Sequence, residues 1–547
     1  HYKGRDVRGK FVLAKGKAKS VQEQAVSKYG AIGVITDNLT YEIKDVRESI
    51  DLPDAHAYQS IWPTAEELDK VTFGFSLSKR QGNRLRALLD GKKSVKLKAL
   101  VRTKLFSSTL DIVTGTIKGK SNEEIVLIAH LCHPKPSAND NASGSGLLLE
   151  IARTIKALIN SKRISRPQRT VRFLWVPEHF GTIAYLYHHE DLASRFIAGI
   201  NLDMVGQDQE LCKSTLNLDK TPDSVPSYLN DFILSLFERS RETFDPATTF
   251  GSSSTFRYSA NPFSGGSDHA EFNASTFSVP CVMLIQWPDL YYHSSMDSID
   301  KVSEDSLERV GWIATVATLT LADARIDDAL LLAKLTRQGG MARLQHASQE
   351  AISNVSQARR NLSSKRLSKE LTRIIMDFRN KIEHIVWREK KAMGSVKELE
   401  TSAELEKLLK NYVADIESLG NLEITRFDEV LTSLTETAGV TIKPRAKDSK
   451  EIKKAKNLIP VRLFKGAFDL NALKRALGEA GYAWYEKAIK KDKDFRKKLF
   501  EILNFMNGKW TVYEITKAVS AEYSETSIKH TLRILDDLKK TKFISFK

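Results

Sequence analysis

Between residues 130 and 293 imidazole and carboxylate side chains recur beside short apolar runs. His130, Cys132 and His133 end the first run, and Asn139-Asp140-Asn141-Ala142-Ser143-Gly144 follows at once. Glu178-His179 ends the second, and Asp203 closes the third in Asn201-Leu202-Asp203. Gly265-Gly266-Ser267-Asp268-His269 precedes a fourth run, and His293 lies just after it. One such residue at a strand end is ordinarily a satisfied polar group, whereas recurrence at five points indicates a shared site. Imidazole nitrogens and carboxylate oxygens are the donors that zinc accepts. A neighbouring carboxylate can move protons during hydrolysis. The chemistry to expect is metal-assisted attack of water on an amide carbonyl.

The elements that must carry these residues are legible in the apolar pattern. Val126–Ala129, Val171–Val176, Phe196–Leu202 and Val279–Ile285 read as buried strands of a largely parallel sheet. Leu147, Ile151, Ile155 and Leu158 repeat at helical spacing behind an N-cap at Asn141 or Ser143. Residues 104–330 are therefore expected to be α/β, with helices on both faces of the sheet. Ligand sites of open α/β sheets gather beyond the carboxyl ends of the strands, where the polar residues fall.

Flanking segments differ in character. In residues 1–103 the stretches Lys10–Ala14 and Ile32–Ile35 read as strands, with a helix over Ser20–Lys28 between them. Residues 331–440 read as helical, and Leu367, Leu371, Ile374, Phe378, Ile382 and Ile385 form one apolar stripe suited to a hairpin or bundle. Residues 441–456 read as a Lys-rich linker within a basic unit, 441–547. That unit ends in the order helix, helix, helix, strand from Phe495 to Lys547, which suggests a winged helix.

The order of polar residues resembles the co-catalytic zinc exopeptidases, the family of leucyl-type aminopeptidases and glutaminyl cyclases. That family has a His-x-Asp strand end, an Asp-Asn-x-x-Gly turn, a Glu-Glu pair, an Asp, a Ser-Asp-His stretch and a final His. The resemblance implies that Asp140 bridges two metals, that Asp203 binds one and His293 the other, and that Glu178 is the general base. His130 matches the first ligand by position, while Cys132-His133-Pro134 resembles the motif of an aminopeptidase-like subgroup and favours His133. Residues three apart on an extended strand face opposite sides, so one of the two is expected to bind unless the strand ends early. Cys132 stands where the family has the Asp that orients the ligand histidine. His179 stands where it has the second Glu, a metal ligand, so one ion or two are both open. Asp268 and His269 match a supporting stretch. Trp287, Tyr291 and Tyr292, beside His293, are candidates for a pocket wall. The segment Lys28-Tyr29-Gly30-Ala31-Ile32-Gly33-Val34-Ile35 resembles a protease-associated domain. The implied protein is a zinc metalloprotease, an aminopeptidase acting on peptides. Alternatives are a deacylase or cyclase on the same scaffold, or a degenerate peptidase that serves as a binding protein.

Composition sets outer bounds. A chain of 547 residues is too long for a single core. No apolar run reaches the roughly 18 residues that would span a bilayer, so no membrane partner is expected. The three cysteines, Cys132, Cys212 and Cys281, do not form a disulfide framework and fit a reducing, cytoplasmic location. The sequence starts at His1, in what reads as the middle of a domain, so the true N-terminus is expected to lie upstream. Of 84 Lys+Arg, 44 lie beyond residue 330, against only 28 of 68 Asp+Glu, so the formal charge of +16 resides entirely in the C-terminal part. Such asymmetry leaves a nucleic-acid partner open, though a solvated basic surface is the favoured reading.

Overall fold

The structure is a computed structural model and describes residues 2, 4–39, 51–61, 63, 65–91, 94–104, 106–245, 251, 255–442 and 448–547. His1 and residues 443–447 of the expected linker at 441–456 lie outside the described residues; within that linker Lys450–Lys456 is helical. Near the N-terminus β1 (Phe11–Ala14), β2 (Gly33–Thr36) and β3 (Gly74–Ser76) form a small parallel sheet. The expected helix between β1 and β2 spans Ala18–Val26, its second half wound as a wider turn.

Seven strands build the central sheet. They are β4 (Val113–Ile117), β5 (Glu124–His130), β6 (Thr170–Val176), β7 (Phe196–Leu202), β8 (Thr215–Asp219), β9 (Tyr258–Asn261) and β10 (Cys281–Trp287). Their order is β4-β6-β5-β7-β10-β8-β9. The four central strands, β6, β5, β7 and β10, run parallel, whereas β4 pairs antiparallel with β6 and β8 antiparallel with β10. Every residue of β5 is buried, as a strand covered on both faces requires. The chain passes from β5 to β6 on one side and then returns to β7 on the other. That reversal opens a crevice at the carboxyl ends of β5 and β7, where such sheets bind ligands. β10 begins at Cys281, two residues later than its apolar pattern suggests, because Pro280 has no N–H for the ladder.

Helix Gly144–Asn160 packs Leu147, Leu148, Ile151 and Ile155 against one sheet face. Its first turn is closed by Asn141, whose Oδ1 accepts from the Gly144 N–H at 3.1 Å. A Cβ on Gly144 would lie 2.3 Å from the carbonyl oxygen of Leu202, so only glycine lets the helix start this close to the end of β7. The opposite face packs Leu186 and Phe272 from helices Phe180–His188 and His269–Asn273.

Three long helices follow, Ile326–Asn361, Ser364–Ser395 and Ala403–Ala438. The first runs across the expected boundary at 330. All six residues of the predicted stripe are buried and share one apolar cluster with the central sheet. Half-buried Arg343 links this region to the sheet domain, reaching Asp231 at 2.7 Å and Glu389 at 2.8 Å.

The C-terminal order is as predicted: helices Phe495–Asn504, Val512–Glu522 and Ile528–Lys540, then β12 (Ile544–Phe546), which pairs antiparallel with β11 (Pro460–Arg462). On helix Ile528–Lys540, Lys529 approaches Glu451 at 3.6 Å and Arg533 lies over the Trp484 ring. This unit docks on the segment around helix His269–Asn273, where Asn504 donates to the Asn273 carbonyl at 3.0 Å and Tyr523 to that of Phe263 at 3.0 Å. Among the described residues no helix is long and apolar enough to cross a membrane.

Candidate metal centre

Asp140 is the hub of the site. It leaves the turn after β5, and Asp297 fixes its backbone by accepting from the N–H groups of Asn139 at 2.8 Å and Asp140 at 3.0 Å. Its two carboxylate oxygens face different partners. Oδ1 lies 3.4 Å from His130 Nε2, which is itself 3.3 Å from Asp203 Oδ1. Oδ2 lies 3.0 Å from His293 Nε2 and 3.4 Å from His133 Nε2, and those two ring nitrogens are 3.1 Å apart. Of the three candidate ligand sets, two share Asp140, namely His130, Asp140 and Asp203, and His133, Asp140 and His293; the third is His130, Cys132, His133 and Glu178.

These spacings suit zinc. Donors about 2.0–2.1 Å from a tetrahedral ion lie roughly 3.3–3.4 Å from one another. The Asp140 carboxyl is almost wholly buried, yet its Oδ2 has no well-formed hydrogen bond. An acceptor buried without such a bond costs free energy unless something else satisfies it, and a cation would. The two sets that share Asp140 each offer three protein ligands, the number that catalytic zinc takes.

Both histidines of the first strand end therefore meet Asp140. β5 ends at His130, so the chain is free to turn and bring His133 back to the same crevice. Cys132 sits between them. Its Sγ lies 3.6 Å from His130 Nδ1 and 3.7 Å from His133 Nδ1, and it accepts the Glu178 N–H at 3.2 Å. The thiol thus contacts the outer nitrogen of each ring whose Nε2 faces Asp140. Groups in that place fix the tautomer and orientation of a ligating histidine.

Glu178 follows β6 and lines the same cavity. Burial raises its carboxyl to about 7, reinforced by Asp203 and Asp268 and opposed by His130 and His179. A carboxylate poised there can both accept and return a proton near neutral pH.

His179, expected as a ligand, belongs among the described residues to none of the three candidate sets. Its Nδ1 lies 3.1 Å from Glu271 Oε1 and its Nε2 3.7 Å from Glu178 Oε1. Burial opposes its charged form, but the Glu271 hydrogen bond and the charge of Glu178 raise it to about 9. Asp268 holds this corner from behind, its Oδ1 accepting from the His179 N–H at 2.8 Å and from Thr182 Oγ1 at 2.6 Å. His269 lies apart from all three sets, 3.2 Å from Asp219. Of the aromatics, Tyr292 stacks on the His293 ring at 3.7 Å, Trp287 packs edge-on to Tyr292, and Tyr291 lies under the Lys301 ammonium.

Several site residues carried no signal in the sequence. Asp297 and Glu271 stand in no motif, and Tyr58 comes from far upstream. Its ring meets His293 at 4.9 Å and His133 at 5.7 Å, both edge-on. Burial, with negative charge on Cys132, Glu178 and Asp140, raises its phenol above the usual value.

The strand ends of this mostly parallel sheet thus converge on carboxylates and imidazoles around Asp140. Residues 113–318 match the profile of Peptidase family M28. A Clostridium acetobutylicum protein described as a polysaccharide biosynthesis protein with an aminopeptidase-like domain is 31% identical over 137 residues, covering 25% of this chain and 28% of that one. Aminopeptidase YwaD of Bacillus subtilis is 28% identical over 194 residues, 33% of this chain and 37% of the relative. The chain thus spans about a third of the length of these curated relatives. Among solved structures, a zinc aminopeptidase from Bacillus subtilis is similar at 21% identity with a TM-score of 0.39, covering 57% of this chain and 70% of that one.

Proposed function

We propose that the chain is a zinc-dependent aminopeptidase that releases N-terminal residues from peptides. His130, Asp140 and Asp203 would hold one ion, and His133, Asp140 and His293 a second. The division of Asp140 between two histidine-containing sets is the observation that carries this reading. Zinc, when bound, lowers the pKa of a water toward ~7 and polarises the scissile carbonyl. Glu178 takes the proton of the attacking water and returns it to the departing amine nitrogen. The His179 imidazolium, 3.7 Å from Glu178, offsets the charge that Glu178 bears before it accepts that proton. Asp297 and Cys132 hold Asp140 and the two histidines in register.

On the same reading residues 1–103 are a protease-associated-like unit, 331–440 a helical region continuous with the catalytic core, and 441–547 a winged helix used for docking. The contacts of Asn504 and Tyr523 with the sheet domain favour a protein-facing role over a nucleic-acid one. Three cysteines without disulfides fit a reducing, cytoplasmic setting.

The test combines elemental analysis with turnover of aminoacyl chromogenic substrates. Protein purified without chelator should contain zinc, lose activity on metal removal and regain it with zinc or cobalt. Glu178→Gln should keep the metal and lose ~100-fold or more in kcat, the scale of a lost acid–base group. Activity that survives complete metal removal, or metal-free protein, would overturn the reading.

A further inference from the structure

The N-terminal unit reaches the metal centre through one short segment. Ala57 forms an antiparallel bridge with Ser294, the residue after the candidate ligand His293. Tyr58 N–H donates to the His293 carbonyl at 2.6 Å, Ser295 N–H to the His56 carbonyl at 2.8 Å, and His56 N–H to Ser295 Oγ at 3.0 Å. Leu39, Ala55 and Ala57 pack with Leu52 and Met296 beneath this contact. The position of Tyr58 is therefore tied to the backbone of a residue facing Asp140. His293 itself has φ of +50°, a left-handed conformation that a non-glycine residue keeps only where the surroundings enforce it. The bonds from residues 56–58 are part of that enforcement.

The tyrosine thus forms a wall of the cavity from outside the catalytic domain. Its ring rests edge-on against His133 and His293, and Cys132, Glu178 and Asp140 are the ionisable groups in electrostatic reach of its hydroxyl. A phenol hydroxyl can donate one hydrogen bond. When a peptide is attacked here, the carbonyl oxygen gains negative charge beside the same residues, and a preorganised donor aimed at it stabilises the transition state.

We infer that Tyr58 is a catalytic residue contributed by the N-terminal unit, donating a hydrogen bond to the carbonyl oxygen of the scissile bond. The inference rests on the aminopeptidase reading and deepens it, because it makes residues 56–58 part of the active site. The bond N of the leaving residue to carbonyl carbon breaks as the water oxygen bonds to that carbon. Tyr58 keeps its proton throughout, while Glu178 carries the proton that moves.

Full-length, zinc-loaded Tyr58→Phe separates this role from packing, since the ring is retained. Metal content should equal that of the native chain. The kcat for an aminoacyl substrate should fall ~10²–10³-fold, the scale of one lost oxyanion donor, with KM nearly unchanged. Calorimetry without turnover should show weaker binding of an aminoalkylphosphonate, a tetrahedral mimic, and unaltered binding of the free amino acid. Native-like kcat and phosphonate affinity in Tyr58→Phe would overturn the inference while leaving the aminopeptidase reading intact. Loss of metal would overturn it too, because the tyrosine would then act through His133 and His293. So would a change confined to the pH profile of kcat, which would assign the hydroxyl to Glu178. A native chain that binds zinc but neither hydrolyses peptides nor binds the phosphonate would instead remove the underlying reading.

Discussion

Glu501 and Glu522 give the C-terminal unit a pH-dependent hold on the catalytic domain. Both face the loop at Asp223–Ser224. Glu501 accepts from Ser224 N–H at 3.0 Å and Ser224 Oγ at 2.5 Å, and Glu522 accepts from Asp223 N–H at 3.3 Å. The Asp223 carboxylate is committed elsewhere, to Arg388 at 2.6 Å and His384 at 2.8 Å. Glu501 is fully buried, and burial raises it from 4.5 to about 7; burial and the charge of Glu501 raise Glu522 further. The two carboxyls also bond to each other, Tyr523, Asp223 and Ser224 surround them, and among the described residues no cation bonds directly to either. A raised folded-state pKa means that the native state holds its proton more tightly than the unfolded chain does. The associated stability is fully present below about pH 4.5 and is lost as pH rises through about 7. At 1.36 kcal/mol per pKa unit, the Glu501 shift alone corresponds to about 3 kcal/mol, an order-of-magnitude figure for a pair that shares protons. Glu501→Gln keeps the shape and the acceptor for Ser224 and removes the charge. Thermal melts of the native chain and this variant at pH 5.5, 7 and 8.5 and one ionic strength provide the assay. The variant should gain stability relative to the native chain as pH rises, by several degrees at pH 8.5, since about 1 kcal/mol is worth ~2–4 °C in a domain of 150–250 residues. A difference between the two that is independent of pH, or that grows toward acid, would refute the assignment.

Two further perturbations address the metal centre. His130→Ala and His133→Ala should each empty one position, leaving about half the native zinc by elemental analysis; full zinc in either variant would remove that residue from its ligand set. Cys132→Ala should weaken zinc binding ~10–100-fold, as loss of an orienting partner does, with Cys132→Asp recovering most of it. Unchanged affinity in Cys132→Ala, measured by competition with a chelating indicator, would show that the thiol orients neither ring.

Much of this protein was written in local pattern. Apolar runs marked β5, β6, β7 and β10 to within about two residues, because a strand buried on both faces must be apolar along its length. The stripe from Leu367 to Ile385 placed a helix and the face it buries, and the order of polar residues after each strand singled out Asp140, Asp203, Glu178 and His293. Tertiary structure decided what could not be local. His179 and Glu271 are 92 residues apart in sequence yet 3.1 Å apart in space, a meeting that no local pattern announces. Whether His133 joins His130 depended on where β5 stops pairing with β6, which is a matter of ladder length rather than of residue type. Tyr58 reaches His293 because an apolar contact seats the N-terminal unit beside it. A sequence determines burial through its own periodicity, residue by residue. Which of several equivalent donors and acceptors meet depends on distances that only the closed chain sets.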